Sequence, residues 1–236
     1  SSQSQDLLYN QSAALEIYAR WFGYEAMPML LKAADNTDKA FRMAVLRFAE
    51  GMGGVAGTKQ WIEKAGTAAS GPKADIIGML GRRGDRMAVD FVERQLNSTS
   101  ATVREETIRA LVDLQEEDAV PALIAHLVAG NDTEPTKNAL LQLIDNAHLD
   151  PVAEVLHDAE GAAKAAVVDI IAARSGKRYF EDIFGLTRSS DLHEGRKRLR
   201  YWTALALLRG VMSSPAAGVE MIKNRMQTAI AERCLV

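Results

Sequence analysis

The chain has 236 residues, 47% of them hydrophobic and 25% charged, with a formal net charge of −3. This is ordinary composition for a soluble globular protein, and it lacks the basic excess that binding to nucleic acid or an anionic membrane draws on. The one cysteine, Cys234, excludes an internal disulfide framework and a multi-cysteine metal site, and no apolar run approaches the roughly 20 residues of a membrane span.

In chain order the sequence returns to one pattern about every 31 residues. Ala26-Met27-Pro28-Met29-Leu30-Leu31 is followed by Met87-Ala88-Val89-Asp90-Phe91-Val92, then Ala119-Val120-Pro121-Ala122-Leu123-Ile124, then Pro151-Val152-Ala153-Glu154-Val155-Leu156. A period in this range marks stacked helix pairs that share one core. The units fall near 6–36, 38–70, 72–100, 101–132, 133–160, 161–191 and 192–236, read as one repeat domain. The first helix of each carries an apolar pair three residues apart, on one helical face. These are Leu15 and Tyr18, Val45 and Phe48, Ile77 and Leu80, Ile108 and Leu111, Leu140 and Leu143, Val168 and Ile171, and, more weakly, Leu205 and Leu208. Second helices have their own stripes: Val120, Leu123, Ile124 and Leu127; Val152, Val155 and Leu156; Phe180, Ile183 and Phe184.

Punctuation supports this division. Gly51-Met52-Gly53-Gly54 breaks the second unit between its helices. Ser70-Gly71-Pro72 and Thr133-Glu134-Pro135 read as helix starts, and Pro121 and Pro151 fall near the start of second helices, where a missing amide is tolerated. Thr102 with Glu105 reads as a capping box. Leu80-Gly81-Arg82-Arg83-Gly84-Asp85 reads as an inter-helix turn, whereas the next unit has Gln115-Glu116 there and predicts a different turn. Trp21, Trp61 and Trp202 have apolar neighbours and are expected to pack. The polar start Ser1-Ser2-Gln3-Ser4-Gln5 lacks signal-peptide features. The compartment stays open, cytoplasmic or exported after signal removal. The ends also leave open that the chain is a piece of a longer polypeptide.

The unit Val103-Arg104-Glu105-Glu106-Thr107-Ile108-Arg109-Ala110-Leu111, followed by Ala119-Val120-Pro121-Ala122-Leu123, resembles a HEAT repeat of the short bacterial type also found in phycobilisome lyases. The resemblance is fullest over 101–130 and extends to 72–100 and 133–157. It implies an all-α, right-handed superhelix of about seven helix pairs, with second helices lining the concave side. By register, the positions equivalent to Ala122, Ala125 and His126 then face outward: Phe91, Arg94 and Gln95 in the third unit, Glu154, His157 and Asp158 in the fifth. Phe91 is either an exposed aromatic anchor or, with the register shifted by one, a core residue.

Chemistry is harder to find. No phosphate loop is present, and His126, His148, His157 and His193 lack metal-ligand spacing. HEAT-scaffold enzymes offer a rival reading. Deoxyhypusine hydroxylase needs several His-Glu dipeptides where this chain has only His193-Glu194, and the alkylpurine DNA glycosylases need a basic surface. Arg196, Lys197 and Arg200 share a helical side within 174–200 and form a candidate basic patch, for an acidic partner or as a solvated face. Arg83-Gly84-Asp85 spells an adhesion tripeptide inside an ordinary turn, and Asn97-Ser98-Thr99 and Asn131-Asp132-Thr133 match glycosylation acceptors. The expectation is a non-catalytic protein-interaction or scaffolding module. It binds an unidentified protein rather than nucleic acid, uses no cofactor or metal, and has an oligomeric state the sequence leaves open. The alternatives are a glycosylase-like or lyase-like enzyme, or a regulatory repeat domain of a larger enzyme.

Overall fold

The computed structural model describes residues 2–145 and 149–174. Its helices are α1 (Ser2–Phe22), α2 (Met27–Ala33), α3 (Lys39–Ala49), α4 (Gly54–Thr67), α5 (Ser70–Arg83), α6 (Val89–Arg94), α7 (Ala101–Gln115), α8 (Val120–Val128), α9 (Thr133–Leu143), α10 (Asp150–Glu154) and α11 (Gly161–Ala173). Short 3-10 turns lie at Gly23–Ala26, Arg86–Ala88, Gln95–Asn97 and Glu116–Ala119. No strand occurs among the described residues, which are all-α, and the expected units up to 133–160 each contain a first and a second helix. Phe180, Ile183, Phe184, Leu205, Leu208, Trp202, His148, His193, Cys234 and the basic patch Arg196, Lys197 and Arg200 lie outside the described residues.

The chain divides into two compact units, Ser1–His126 and Leu127–Val236. In the first, α3, α5 and α7 stack in sequence, while α4 packs against α5 and α6 against α7. The periodic apolar residues explain this. Val45, Leu46, Ile77, Leu80, Ile108 and Leu111 are buried, and each such side chain contributes roughly 1.5–3 kcal/mol on leaving water. Helices α5 and α7 approach closely because α5 carries Gly78 and Gly81 on the shared side. A Cβ on Gly81 would stand 2.7 Å from the Ala110 Cα, and one on Gly78 would collide with the Glu106 carboxylate.

The α3–α5 contact has another basis. Arg42 Nε donates to Asp75 Oδ2 at 2.8 Å, with Nη2 at 2.7 Å from the same oxygen, and both side chains are buried. Arg42 Nη1 also donates to the carbonyls of Asn36 and Thr37 at 2.7 and 3.1 Å. A buried guanidinium needs this set of acceptors to offset its lost hydration. Asp38 caps α3 by accepting from Phe41 N at 2.8 Å.

Three local expectations are corrected. The N-cap of α7 is Ser100, not Thr102, which lies inside the helix, and no side chain caps that end. In the third unit Leu80 to Arg83 are still helical. The turn begins at Gly84, whose φ of 69° is the left-handed C-terminal conformation glycine adopts without strain. The fourth unit is closed differently, as its sequence predicts: Glu116 takes φ 50° and ψ −126° with no glycine to relieve it. Trp61 is fully buried as expected, but Trp21 is 83% exposed, because its side of α1 has no neighbouring helix among the described residues.

In the second unit α9 and α10 both pack on α11. Leu140, Val152, Leu156, Val168 and Ile171 are buried there, with Leu143 and Val155 half-buried. Lys137 on α9 reaches Glu134 at 2.8 Å and Asp169 on α11 at 3.3 Å. Burial works against its charge, but the bonds to Glu134 and the field of Asp169 outweigh that and raise its pKa. Arg174 donates to the Leu141 carbonyl, a second tie from the end of α11 to α9.

Candidate functional site

In the first unit the second helices form a layer of their own. Helix α4 touches α2 on one side and the Arg86–Ala88 turn leading into α6 on the other. Each helix buries one stripe, Leu30 on α2, Trp61 and Ala65 on α4, Val92 on α6, and presents the opposite side to solvent. The exposed side carries Met29 and Lys32, then Val55, Lys59 and Glu63, then Asp90, Glu93 and Arg94.

Residues expected to face outward separate into two groups. Arg94, Glu154 and His157 are exposed, Asp158 is exposed and Gln95 is half-buried, with its side-chain amide donating to the Phe91 carbonyl at 3.3 Å. Phe91 is only 8% exposed and His126 6%, so both are corrected from outward-facing positions to buried ones. Helix α6 has six residues and is entered and left through 3-10 turns. The tighter winding of those turns, three residues per turn rather than 3.6, rotates Phe91 inward beside Val92. Glu154 and His157 belong to the second unit and form a separate exposed patch.

Charges on the two layers of the first unit differ. On the first-helix layer Arg42 is paired with Asp75, Arg82 with Glu50 at 3.0 Å, and Arg109 with Glu106 at 2.9 Å, although Arg47 and Asp113 have no partner among the described residues. On the second-helix layer Lys59, Glu63, Asp90, Glu93 and Arg94 have no hydrogen-bonded or ionic side-chain partner among the described residues, while at its flanks Lys64 pairs with Asp35 and Arg86 with Asp118 at 3.7 Å. Sequence reading singled out Arg94 but missed Lys59, Glu63, Asp90 and Glu93. Their signal was the same helical spacing, obscured in α4 by glycines and in α6 by its shortness.

The tripeptide Arg83-Gly84-Asp85 is committed to the fold. Thr58 Oγ1 donates to Asp85 Oδ2 at 2.6 Å, and Arg83 Nε donates to Thr58 Oγ1 at 2.7 Å. Arg83 also donates to the carbonyls of Glu50 and Gly54, closing the α3–α4 turn. Asp85 accepts from Met87 N at 3.1 Å. The Thr58 hydroxyl, the Met87 amide and the Arg83 charge together hold the Asp85 carboxyl below its ordinary range, while burial lowers the Arg83 pKa. Both ends of the tripeptide are therefore occupied.

No group of three or more His, Cys, Asp or Glu side chains able to hold a metal ion occurs among the described residues. No described helix is long and apolar enough to cross a membrane. The stacked pairs, with their about 31-residue period, match a family model described as HEAT repeats over residues 58–144. That segment belongs to the HEAT-repeat family. A search of curated proteins gives no match. HEAT repeats are generally protein-interaction or scaffolding modules, and the match covers the repeats in which α4 to α9 fall.

Proposed function

We propose that the chain is a protein-interaction module whose docking surface in the first unit is the exposed side of α4 and α6. The observation that supports this is the ridge Lys59, Glu63, Asp90, Glu93 and Arg94, solvated charges with no partner among the described residues, on consecutive second helices of a segment matching HEAT repeats. Charges of both signs in a fixed order select a partner of complementary order and speed its association, more than they add raw affinity. Net charge near zero along the ridge points to a protein rather than to a polyanion.

Capture from source lysate tests the reading. The bait is the whole chain, with Glu63→Lys/Glu93→Lys/Arg94→Glu as the ridge variant and Arg47→Glu, on the first-helix layer, as the control. Circular dichroism establishes that each is folded. A protein retained by wild type and by Arg47→Glu but lost by the ridge variant supports the assignment. Equal retention by all three, or loss only with Arg47→Glu, removes it. Phe91 is not a suitable site for such a variant, since its burial would convert a binding test into a folding test.

A further inference from the structure

Helices α3 and α5 leave an open groove of about 740 Å³ on the first-helix layer, lined by Met43, Ala44, Arg47, Glu50 and Arg82. These two helices carry four arginines, and three have acceptors: Arg42 on Asp75, Arg82 on Glu50, and Arg83 on Thr58 and the Glu50 carbonyl. Arg47 is exposed and has no partner among the described residues. Arg82 gives only its Nε to Glu50, at 3.0 Å, so its Nη groups keep their donors for a ligand. The carbonyl end of α3 would repel an anion, but Arg83 Nη1 covers it, 2.7 Å from the Glu50 carbonyl oxygen. Met43 and Ala44 are half-buried and add an apolar strip to the groove.

We propose that this groove docks a linear acidic peptide of a partner protein, in which a carboxylate and an apolar side chain stand two residues apart. The site is separate from the ridge on α4 and α6 and does not depend on it. Three observations select the occupant. First, two cations and one anion line the groove and leave one positive charge, which a single carboxylate neutralises. A guanidinium with all its donors open, as in Arg47, binds a carboxylate through two parallel N–H bonds. A phosphate dianion would exceed that charge and stand beside the Glu50 carboxylate, which disfavours phosphopeptides and nucleic acid. Second, Met43 and Arg47 are four residues apart, on one side of α3 and about 5–6 Å from each other. Same-side residues of an extended chain are about 6.6 Å apart. An acidic residue on Arg47 therefore lays its second neighbour against Met43. Third, small molecules are held by sites that enclose most of their surface. This groove is open and covers one side of a passing chain.

Fluorescence anisotropy tests this. The probe is a labelled Gly/Ser peptide with one phenylalanine and one glutamate two positions apart, titrated with the full chain to about 1 mM in about 50 mM salt. One ion pair and one apolar contact are expected to give a dissociation constant on the order of 0.1–1 mM. Arg47→Gln should weaken binding by about tenfold, as should glutamine in place of the peptide's glutamate. Serine in place of its phenylalanine should weaken binding several-fold. Glu50→Gln should tighten binding by about threefold, because it removes the like charge, whereas a merely structural Glu50 would give a loss. Arg47 is exposed and unpaired among the described residues, so unchanged circular dichroism and melting of Arg47→Gln separate lost binding from lost folding. The ridge variant Glu63→Lys/Glu93→Lys/Arg94→Glu should bind the peptide as wild type does. Unlabelled peptide should displace the probe, and glutarate at the same concentration should not. No saturable signal by 1 mM, equal binding by wild type and Arg47→Gln, loss only in the ridge variant, equal displacement by glutarate, or tighter binding of a phosphoserine peptide overturns the proposal.

Discussion

Two neighbouring helix contacts in the first unit are held by different means. At α3–α5 the helices are tied by charge, by the buried Arg42–Asp75 pair and, at the end of α3, by Arg82 on the Glu50 carboxylate and Arg83 on the Glu50 carbonyl. At α5–α7 they are joined by backbone proximity, with Gly78 and Gly81 admitting Glu106 and Ala110. The position 31 residues after Asp75 is Glu106, and the difference is plain there: Asp75 reaches the preceding helix, whereas Glu106 pairs with Arg109 on its own. Equivalent positions in a repeat therefore need not do equivalent work. Once glycines bring two backbones together, dispersion and apolar burial hold the contact and no charged tie is required.

The largest expected effect breaks the charged contact. Arg42→Ala leaves the buried Asp75 with only Lys39 at 4.0 Å and is expected to cost about 3 kcal/mol, measured by urea unfolding. Arg42→Ala/Asp75→Ala should recover part of that loss, and a double variant no more stable than the single one would mean the pair is not the tie. Next comes the close contact. Gly81→Leu forces α5 away from Ala110 and is expected to destabilise by about 3 kcal/mol. Gly66→Leu, at an exposed α4 position with open space around it, should be far milder. Similar losses at both sites would show that the glycine matters for something other than proximity.

Asp85→Asn sharpens the comparison through pH. Its folded pKa is depressed, chiefly by the Thr58 hydroxyl and the Met87 amide, so its contribution is present above the ordinary carboxylate range and is lost as pH falls through the folded value. Wild type should therefore lose stability on acidification more steeply than Asp85→Asn, and parallel melting curves from pH 7 down to 3 would contradict this. The smallest effect lies in the turn of the fourth unit. Glu116→Gly relieves a positive φ and should stabilise by about 0.5–1 kcal/mol, with the gain read as a rise in melting temperature.

Much of the fold was legible because it is local. The three-residue apolar spacing of Ile77 and Leu80, or of Ile108 and Leu111, predicts a one-sided helix whatever covers it, and Gly51 to Gly54 cannot continue one. The different closure at Gln115-Glu116 was also visible, since that turn lacks the glycine present at Gly84. The candidate site was less legible. Arg94, Glu154 and His157 are exposed as expected, whereas His126 is buried and Phe91, left open between anchor and core, is core. For Phe91 the reason is that a register carried from one repeat to the next assumes regular α-helix, and the 3-10 turns flanking α6 break that assumption.

Local pattern in the sequence was enough to show the all-α helix pairs of the described residues, and the HEAT character of 58–144, since periodicity and breakers act within a single turn of backbone. Which apolar residues stay in water, and which polar ones the fold consumes, was settled by packing between distant helices. Trp21 and Trp61 have similar surroundings in sequence, yet one is 83% exposed and the other fully buried. Arg83 and Asp85 look like a free surface motif, yet both are bound. Burial and pairing depend on the neighbour that arrives from about 31 residues away, and no local pattern records whether that neighbour comes.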